Sequence, residues 1–296
     1  MTGRRTPYLV LALVLLVACG RPSDGPGSGR SIIQNKGSDT LVNVAQAWAE
    51  NYKDVNPNVA VAVTGGGSGT GISSMINGTV DLANASRKMK DKELDLAREN
   101  GIEPIEFTVG FDALAVFVHH DNPAEGFTLE QLAGIYGEMG DIESWDQLGI
   151  EIPGCDSDEI VRVSRQNNSG TYVYFKEAVL GREQDYRLGS RDMHGSKDVV
   201  DLVLNTPCAI GYSGLAYATD EVRMPCIQSG ADSDCVAPSV DTAIDGTYPI
   251  ARPLFMYTAG QPEGAVKEYL DWILSDAGQC IILDKGYAPV DAVTCG

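Results

Sequence analysis

Apolar residues in this chain fall into short runs. Three of those runs lead into the same two features, a loop of small residues and then a stretch of helical apolar spacing. Ser31-Ile32-Ile33-Gln34 leads into Lys36-Gly37-Ser38-Asp39-Thr40. Leu41, Val44, Ala45, Trp48 and Tyr52 then define the buried face of a helix that Asn56-Pro57-Asn58 ends. The run at 59–63 leads into Gly65-Gly66-Gly67-Ser68-Gly69-Thr70-Gly71, followed by a helix with Ile72, Met75 and Ile76 that stops at Asn77-Gly78. The run at 160–164 feeds Arg165-Gln166-Asn167-Asn168-Ser169-Gly170-Thr171, and Tyr172, Phe175 and Val179 mark the helix after it. A shorter strand, Val80-Asp81-Leu82-Ala83, ends at Asn84-Ala85-Ser86-Arg87, and a charged helix over 90–100 is closed by Gly101. Strand–helix alternation of this kind predicts an α/β fold with a largely parallel sheet. Ligands of such sheets sit beyond the carboxyl ends of the strands, where these loops fall.

Further along, 111–119 reads as a long apolar strand able to carry the chain from one domain into another. Thr128 is placed to cap a short helix beginning at Leu129. Ala209-Ile210-Gly211-Tyr212 is another strand, and 226–245 is polar and turn-rich, read as a disulfide-braced surface loop. Apolar character returns over 249–257, and 264–274 predicts a helix carrying Val266, Tyr269, Leu270 and Ile273. Neither a solenoid period nor coiled-coil heptads are present.

The length of 296 residues allows two medium domains, and 43% hydrophobic with 21% charged residues is globular composition. The net charge of −19 argues against nucleic acid and anionic membrane surfaces as partners. It also means that an anion site here must rely on local dipoles, hydrogen bonds and one or two arginines.

The first 18 residues read as an export signal: Arg4 and Arg5, an apolar stretch from Tyr8 to Ala18, then Cys19. That stretch is short of the roughly 20 residues a membrane span needs. Leu16-Val17-Ala18-Cys19 resembles a bacterial lipoprotein processing site, the alternative being cleavage near Ala18 with Cys19 incidental. Residues 20–30 have no apolar side chain to bury and read as a tether, with a mean span of about 18 Å as a flexible coil. With Cys19 lipidated, Cys155, Cys208, Cys226, Cys235, Cys280 and Cys295 remain, an even set that reads as three disulfides. Proximity favours Cys226–Cys235 and Cys280–Cys295, leaving Cys155–Cys208, although fifteen pairings are formally open. No Cys-x-x-Cys spacing points to a metal, and no metal or cofactor is expected.

The loops carry the chemistry. Gly, Ser and Thr at a helix start present free N–H groups, hydroxyl donors and the positive end of the helix dipole. The Gly-rich loop lacks the lysine of a nucleotide P-loop, since Ile72 follows Gly71, and it fails the dinucleotide fingerprint. Neither Ser68 nor Ser213 lies in a nucleophile elbow. His119-His120 reads as a strand end and His194 as a surface residue. Arg165 is the sharpest feature, a fork of N–H donors suited to a tetrahedral oxyanion. Ser169 and Thr171 add hydroxyls, and Gly170 permits close backbone approach. Taken singly, each loop also reads as an ordinary helix cap and each arginine as a solvated charge; their joint occurrence favours a site for a small oxyanion.

These segments, with Ala209-Ile210-Gly211-Tyr212 and Arg252-Pro253-Leu254, make the mature chain resemble the substrate-binding protein of the bacterial high-affinity ABC-type phosphate transporter. The resemblance implies a two-lobed periplasmic-binding-protein fold, each lobe a mostly parallel sheet flanked by helices, with the ligand cleft at the hinge. The expected division is 31–112 plus 249–296 for the first lobe and 113–248 for the second. By motif match, inorganic phosphate would be held by Ser38, Asp39, Thr40, Ser68, Gly69, Ser86, Arg87, Arg165, Ser169, Gly170 and Thr171. Two positions depart from the family pattern. Arg87 stands where well-known members have an Asp that accepts the phosphate proton, and Asn167 stands where many have an acid. Both make the site more electropositive and leave Asp39 as the nearest candidate acceptor. The implied protein is no enzyme. It is an extracytoplasmic, Cys19-anchored monomer that delivers phosphate to a membrane permease and ATPase. The competing expectations are a receptor for sulfate, arsenate or molybdate, and an exported phosphatase or esterase using Ser169 or Ser68.

Overall fold

The computed structural model describes residues 30–296. The export signal, Cys19 and all but the last residue of the tether lie outside the described residues. The chain opens with β1 (Ser31–Gly37), α1 (Val42–Val55), β2 (Val59–Thr64), α2 (Ser68–Ile76), β3 (Leu82–Ala85) and α3 (Asp91–Glu99). Next come β4 (Ile105–His119), β5 (Gly126–Thr128), α4 (Leu129–Tyr136), β6 (Val161–Arg165) and α5 (Gly170–Phe175), which runs on as a π-turn at Lys176–Leu180. β7 (Arg191–Met193), α6 (Ser196–Leu204), β8 (Ala209–Gly214), β9 (Val222–Arg223), β10 (Cys226–Gln228) and α7 (Val240–Ile244) follow. The chain closes with β11 (Ala251–Thr258), α8 (Gly264–Ile273) and α9 (Asp276–Asp284). Among the described residues, no helix is long and apolar enough to cross a membrane.

Nine strands form one sheet in the order β2-β1-β3-β11-β4-β8-β6-β7, with β9 also against β4, and β10 with β5 forms a separate two-stranded sheet. The expectation of mostly parallel sheets needs correction, because the sheet is mixed. β1 runs parallel to β2 and β3, and β6 runs parallel to β7 and β8. At the centre, β11 and β4 are antiparallel to each other and to their outer neighbours β3 and β8. Helix crossovers enforce the parallel outer parts. β11 returns from the far end of the chain and enters antiparallel.

β4 is the element the two parts share. Residues Ile105 to Ala113 pair with β11, and Leu114 to Val118 pair with β8. Helices cover both faces, so from Val109 onward nearly every residue is buried, including one charge, Asp112. One core gathers Trp48 and Tyr52 of α1, Ile33 of β1 and Tyr269, Leu270 and Ile273 of α8, and Trp48 Nε1 donates to Gly278 O at 2.7 Å. In the other part, Phe175 stacks on Tyr212 at 3.8 Å, and Tyr136 meets both edge-on. Trp145 Nε1 donates to Cys208 O there at 3.0 Å.

The segment 226–245 is less of a surface loop than its polarity predicts. β10 pairs with β5, and Ile227 and Ala243 are buried. Single apolar anchors in a polar stretch leave no periodicity to read. Thr128 does cap α4, in a reciprocal box with Gln131.

The three disulfides are Cys155–Cys208, Cys226–Cys235 and Cys280–Cys295, spanning 53, 9 and 15 residues. Loop-closure entropy assigns them about 4, about 2.5 and about 3 kcal/mol respectively. Removing each pair as Cys→Ala should therefore lower the urea midpoint most for Cys155–Cys208 and least for Cys226–Cys235. Equal midpoints for the three variants would contradict this ordering.

Candidate functional site

The loops after β1, β2, β3 and β6 meet at one place. Gly37 carries φ of +145°, and a Cβ there would stand 2.1 Å from Asn84 O, so only glycine lets the loop after β1 lie against the end of β3. Ser38 N then donates to Asn84 O at 2.9 Å, and Ser38 Oγ donates to Ser86 Oγ at 2.9 Å. Ser86 N donates to Ser68 Oγ at 3.0 Å, joining the first turn of α2 to the same cluster. Gly170 faces these hydroxyls from α5: a Cβ there would lie 2.3 Å from Ser68 Oγ and 2.5 Å from Ser86 Oγ. Thr40 Oγ1 and Thr171 Oγ1 hydrogen-bond at 3.0 Å. Ser38, Thr40, Ser68, Ser86, Ser169 and Thr171 are all buried.

Two expected contributors are engaged elsewhere. Ser169 Oγ caps α5 by accepting from Thr171 N at 3.1 Å. Gly69 N donates to Asn168 O at 3.0 Å, and Asn168 Nδ2 donates to Gly66 O at 2.9 Å. Asn168 thus ties the Gly-rich loop to the Arg165 loop, while Asn167 is exposed.

Three arginines surround the cluster, each matched by a carboxylate. Arg165 is fully buried at the end of β6. Its Nη2 donates to Asp39 Oδ2 at 3.1 Å and to His194 O at 2.7 Å, and its Nη1 donates to Ser196 Oγ at 3.0 Å. Burial pulls its pKa down, and Asp39 opposes that shift. Asp39 also accepts from Gly66 N at 2.9 Å, and its carbonyl accepts from Tyr217 OH at 2.6 Å. Arg87 gives both terminal nitrogens to Glu93 at 2.7 Å and one to Lys88 O. The extra positive charge expected there is therefore met by a carboxylate of the charged helix α3.

The third arginine was missed as a site residue. Arg252 sits directly opposite Asp112 in the β11–β4 register, and Asp112 Oδ2 accepts from its Nε at 3.1 Å and its Nη2 at 2.8 Å. The same Nη2 reaches Thr171 Oγ1 at 3.1 Å and Thr40 Oγ1 at 3.3 Å, and Nη1 reaches Ser86 O at 3.3 Å. Burial raises the Asp112 pKa, and Arg252 opposes the rise. The signal was available, because a lone charge within each of two apolar strand runs calls for a partner.

The arrangement can surround a small oxyanion with hydroxyls and guanidinium groups. It is poorly equipped for nucleophilic catalysis, since the hydrogen-bond partners of Ser68 and Ser169 include no His or Lys. The one chelating group among the described residues, His119, His120 and Asp121, lies at the far end of β4.

The PBP superfamily domain matches residues 22–277. The phosphate-binding protein PstS of Pseudomonas aeruginosa is 35% identical over 272 residues, covering 88% of this chain and 83% of that protein. PstS of Bacillus subtilis is 28% identical, covering 94% of this chain and 90% of that protein. The chain belongs to the PstS family of phosphate-binding proteins. Among solved structures, a phosphate ABC transporter substrate-binding protein from Clostridium perfringens, with bound phosphate, superposes with a TM-score of 0.78 at 27% identity, covering 88% of this chain and all of that one. An ABC-type phosphate transport receptor from Vibrio cholerae gives 0.67 at 26% identity, covering 86% of this chain and 99% of that one. The fold is accordingly the α/β periplasmic-binding-protein fold.

Truncating Arg252 to Ala would leave Asp112 charged, buried and unpaired. The expected cost is about 3–5 kcal/mol of stability. Chemical denaturation checks it, and a loss below about 1 kcal/mol would show that the pair is not desolvated as its burial indicates.

Proposed function

We propose that this protein binds inorganic phosphate between two lobes and delivers it to an ABC-type transporter. The observation that carries the reading is the convergence of Ser38, Thr40, Ser68, Ser86, Gly170 and Thr171 in one buried cluster of a PstS-family chain, with Arg165 tied beside it through Asp39, the residue between Ser38 and Thr40. A dianion leaving water must recover its hydration from donors. Hydroxyls, the start of α2 and a buried guanidinium supply donors without a large net charge in a strongly acidic protein. The full contact set proposed is Ser38, Asp39, Thr40, Ser68, Gly69, Ser86, Arg87, Arg165, Ser169, Gly170 and Thr171, and Asp39 is the acceptor for a phosphate proton.

The lobes proposed are 31–112 plus 249–296 and 113–248, hinged where β4 changes partners. Asp39–Arg165, Thr40–Thr171 and Gly69–Asn168 are contacts between those two segments and support a closed arrangement. Before the first lobe, 1–18 would act as the signal peptide, with Cys19 as lipid anchor and 20–30 as tether. The protein would then work as an extracytoplasmic monomer beside its permease and ATPase.

Titration calorimetry of the mature domain with phosphate tests the core of this. Binding that sulfate, arsenate or molybdate displaces more readily than phosphate would transfer the assignment to another oxyanion, and absence of heat with all four would end it. Arg165→Ala should weaken phosphate binding by about 2–5 kcal/mol, roughly 30-fold to several thousand-fold in Kd. Arg165→Lys should recover part of that, because an ammonium lacks the fork of donors. Arg165→Ala binding as tightly as the parent would remove Arg165 from the contact set. Solution scattering should show a more compact protein with phosphate than without; superimposable profiles would remove the hinge.

A further inference from the structure

Arg252 lies where the two lobes and the hinge strand meet, and its contacts go beyond the pairing with Asp112. Its Nη2 has two protons and three oxygens in reach: Asp112 Oδ2 at 2.8 Å, Thr171 Oγ1 at 3.1 Å and Thr40 Oγ1 at 3.3 Å. Asp112 takes one proton, and the two hydroxyls share the other. A guanidinium can only donate, so each threonine oxygen it contacts must accept, and the hydroxyl proton must point elsewhere. Thr40 and Thr171 are also 3.0 Å from each other. One of the two protons fills that bond, which leaves the other free to donate outward. Donation from a cation polarises the chain of hydroxyls and strengthens the outward donor. Arg252 itself is held in place. Asp112 grips it from the opposite strand, Ser86 O accepts from Nη1 at 3.3 Å, and the Tyr174 ring lies 5.6 Å from its guanidinium carbon.

From this geometry we infer that Arg252, fixed by Asp112, is a positioning residue for phosphate: it orients the linked Thr40 and Thr171 hydroxyls, one from each proposed lobe, so that one donates to the other and the remaining proton is aimed at the anion. The inference rests on the phosphate reading of the cluster. It assigns a role to a charge outside the loop motifs, and it explains why an ion pair buried at the strand crossing also contacts the ligand loops. Threonine in the first turn of a helix can otherwise donate back to the main chain, and that would present a lone pair to the anion.

The test is a cycle of variants read by titration with inorganic phosphate. Arg252→Lys keeps a positive charge opposite Asp112, but a single ammonium cannot hold Asp112, both threonines and Ser86 O together. Alone it should weaken phosphate binding at least 10-fold. In a Thr40→Val, Thr171→Val background the same substitution should change Kd less than 3-fold, because the groups it acts through are gone. Equal losses in both backgrounds would overturn the inference and reduce Arg252 to a structural charge. Asp112→Asn, which loosens Arg252 without removing it, should show the same dependence on the two threonines, and it serves if Arg252→Lys fails to fold. Parent protein that binds no phosphate would strike at the phosphate reading; parent protein that binds phosphate while the cycle is additive would strike at this inference alone.

Discussion

β4 has to satisfy two sheets with one backbone. Its first part is hydrogen-bonded to β11 and its last part to β8, and the partner changes between Ala113 and Leu114. Neither part of the molecule completes its sheet without this strand, so the two are joined through a few residues that are themselves buried and paired. Asp112 stands one residue short of the last position paired with β11, next to the change of partner. A carboxylate there is costly unless a cation meets it in fixed geometry, and the register supplies Arg252. The loops carrying Thr40, Ser86 and Thr171 then sit around a charge pair that the sheet itself holds rigid.

Electrostatically the site is balanced rather than positive. Arg165 is matched by Asp39, Arg252 by Asp112 and Arg87 by Glu93. In a chain of net charge −19, three unmatched buried arginines would be stable only with an anion present. Matched arginines keep the frame folded without ligand and still orient hydroxyls and amides. Attraction for an oxyanion then comes from aligned donors, which act at short range and are screened little by salt once buried. The same balance shows how the site accommodates Arg87 without becoming a cationic trap.

Much of the fold was legible because it follows periodicity. The strand–loop–helix units around Ser38, Ser68 and Ser169 all form, and the spacing of the cysteines gives the pairs observed. Sheet direction was not legible, since no local pattern shows that β11 enters antiparallel beside β3 and β4. α6 and α9 gave no reading. Each is nine residues long with its apolar residues bunched together, Val199, Val200 and Val203 in α6 and Ile281 and Ile282 in α9, too short a window to tell a helical period from a strand-like apolar run. Within the site, loop residues announced themselves by composition. Arg252 and Asp112 showed only as lone charges in apolar runs, because the pairing of one with the other depends on a register between residues 140 positions apart.

Glycine links the packing to the chemistry. At Gly170 a side chain would fall on Ser68 and Ser86 hydroxyls, and at Gly67 it would fall 2.7 Å from Asn168 O. Both glycines lie where the loop after β2 or β3 touches the loop after β6, so the gap between them is as narrow as backbone permits. On the two-lobe reading proposed above, a tetrahedral anion of a few ångströms would fit such a gap only with both loops drawn onto it. Binding and closure would then be one event, because without the anion the hydroxyls of the two sides bond each other, as Thr40 and Thr171 do. On the same reading selection by size would follow, since a bulkier solute would hold the loops apart and lose donors from both sides at once.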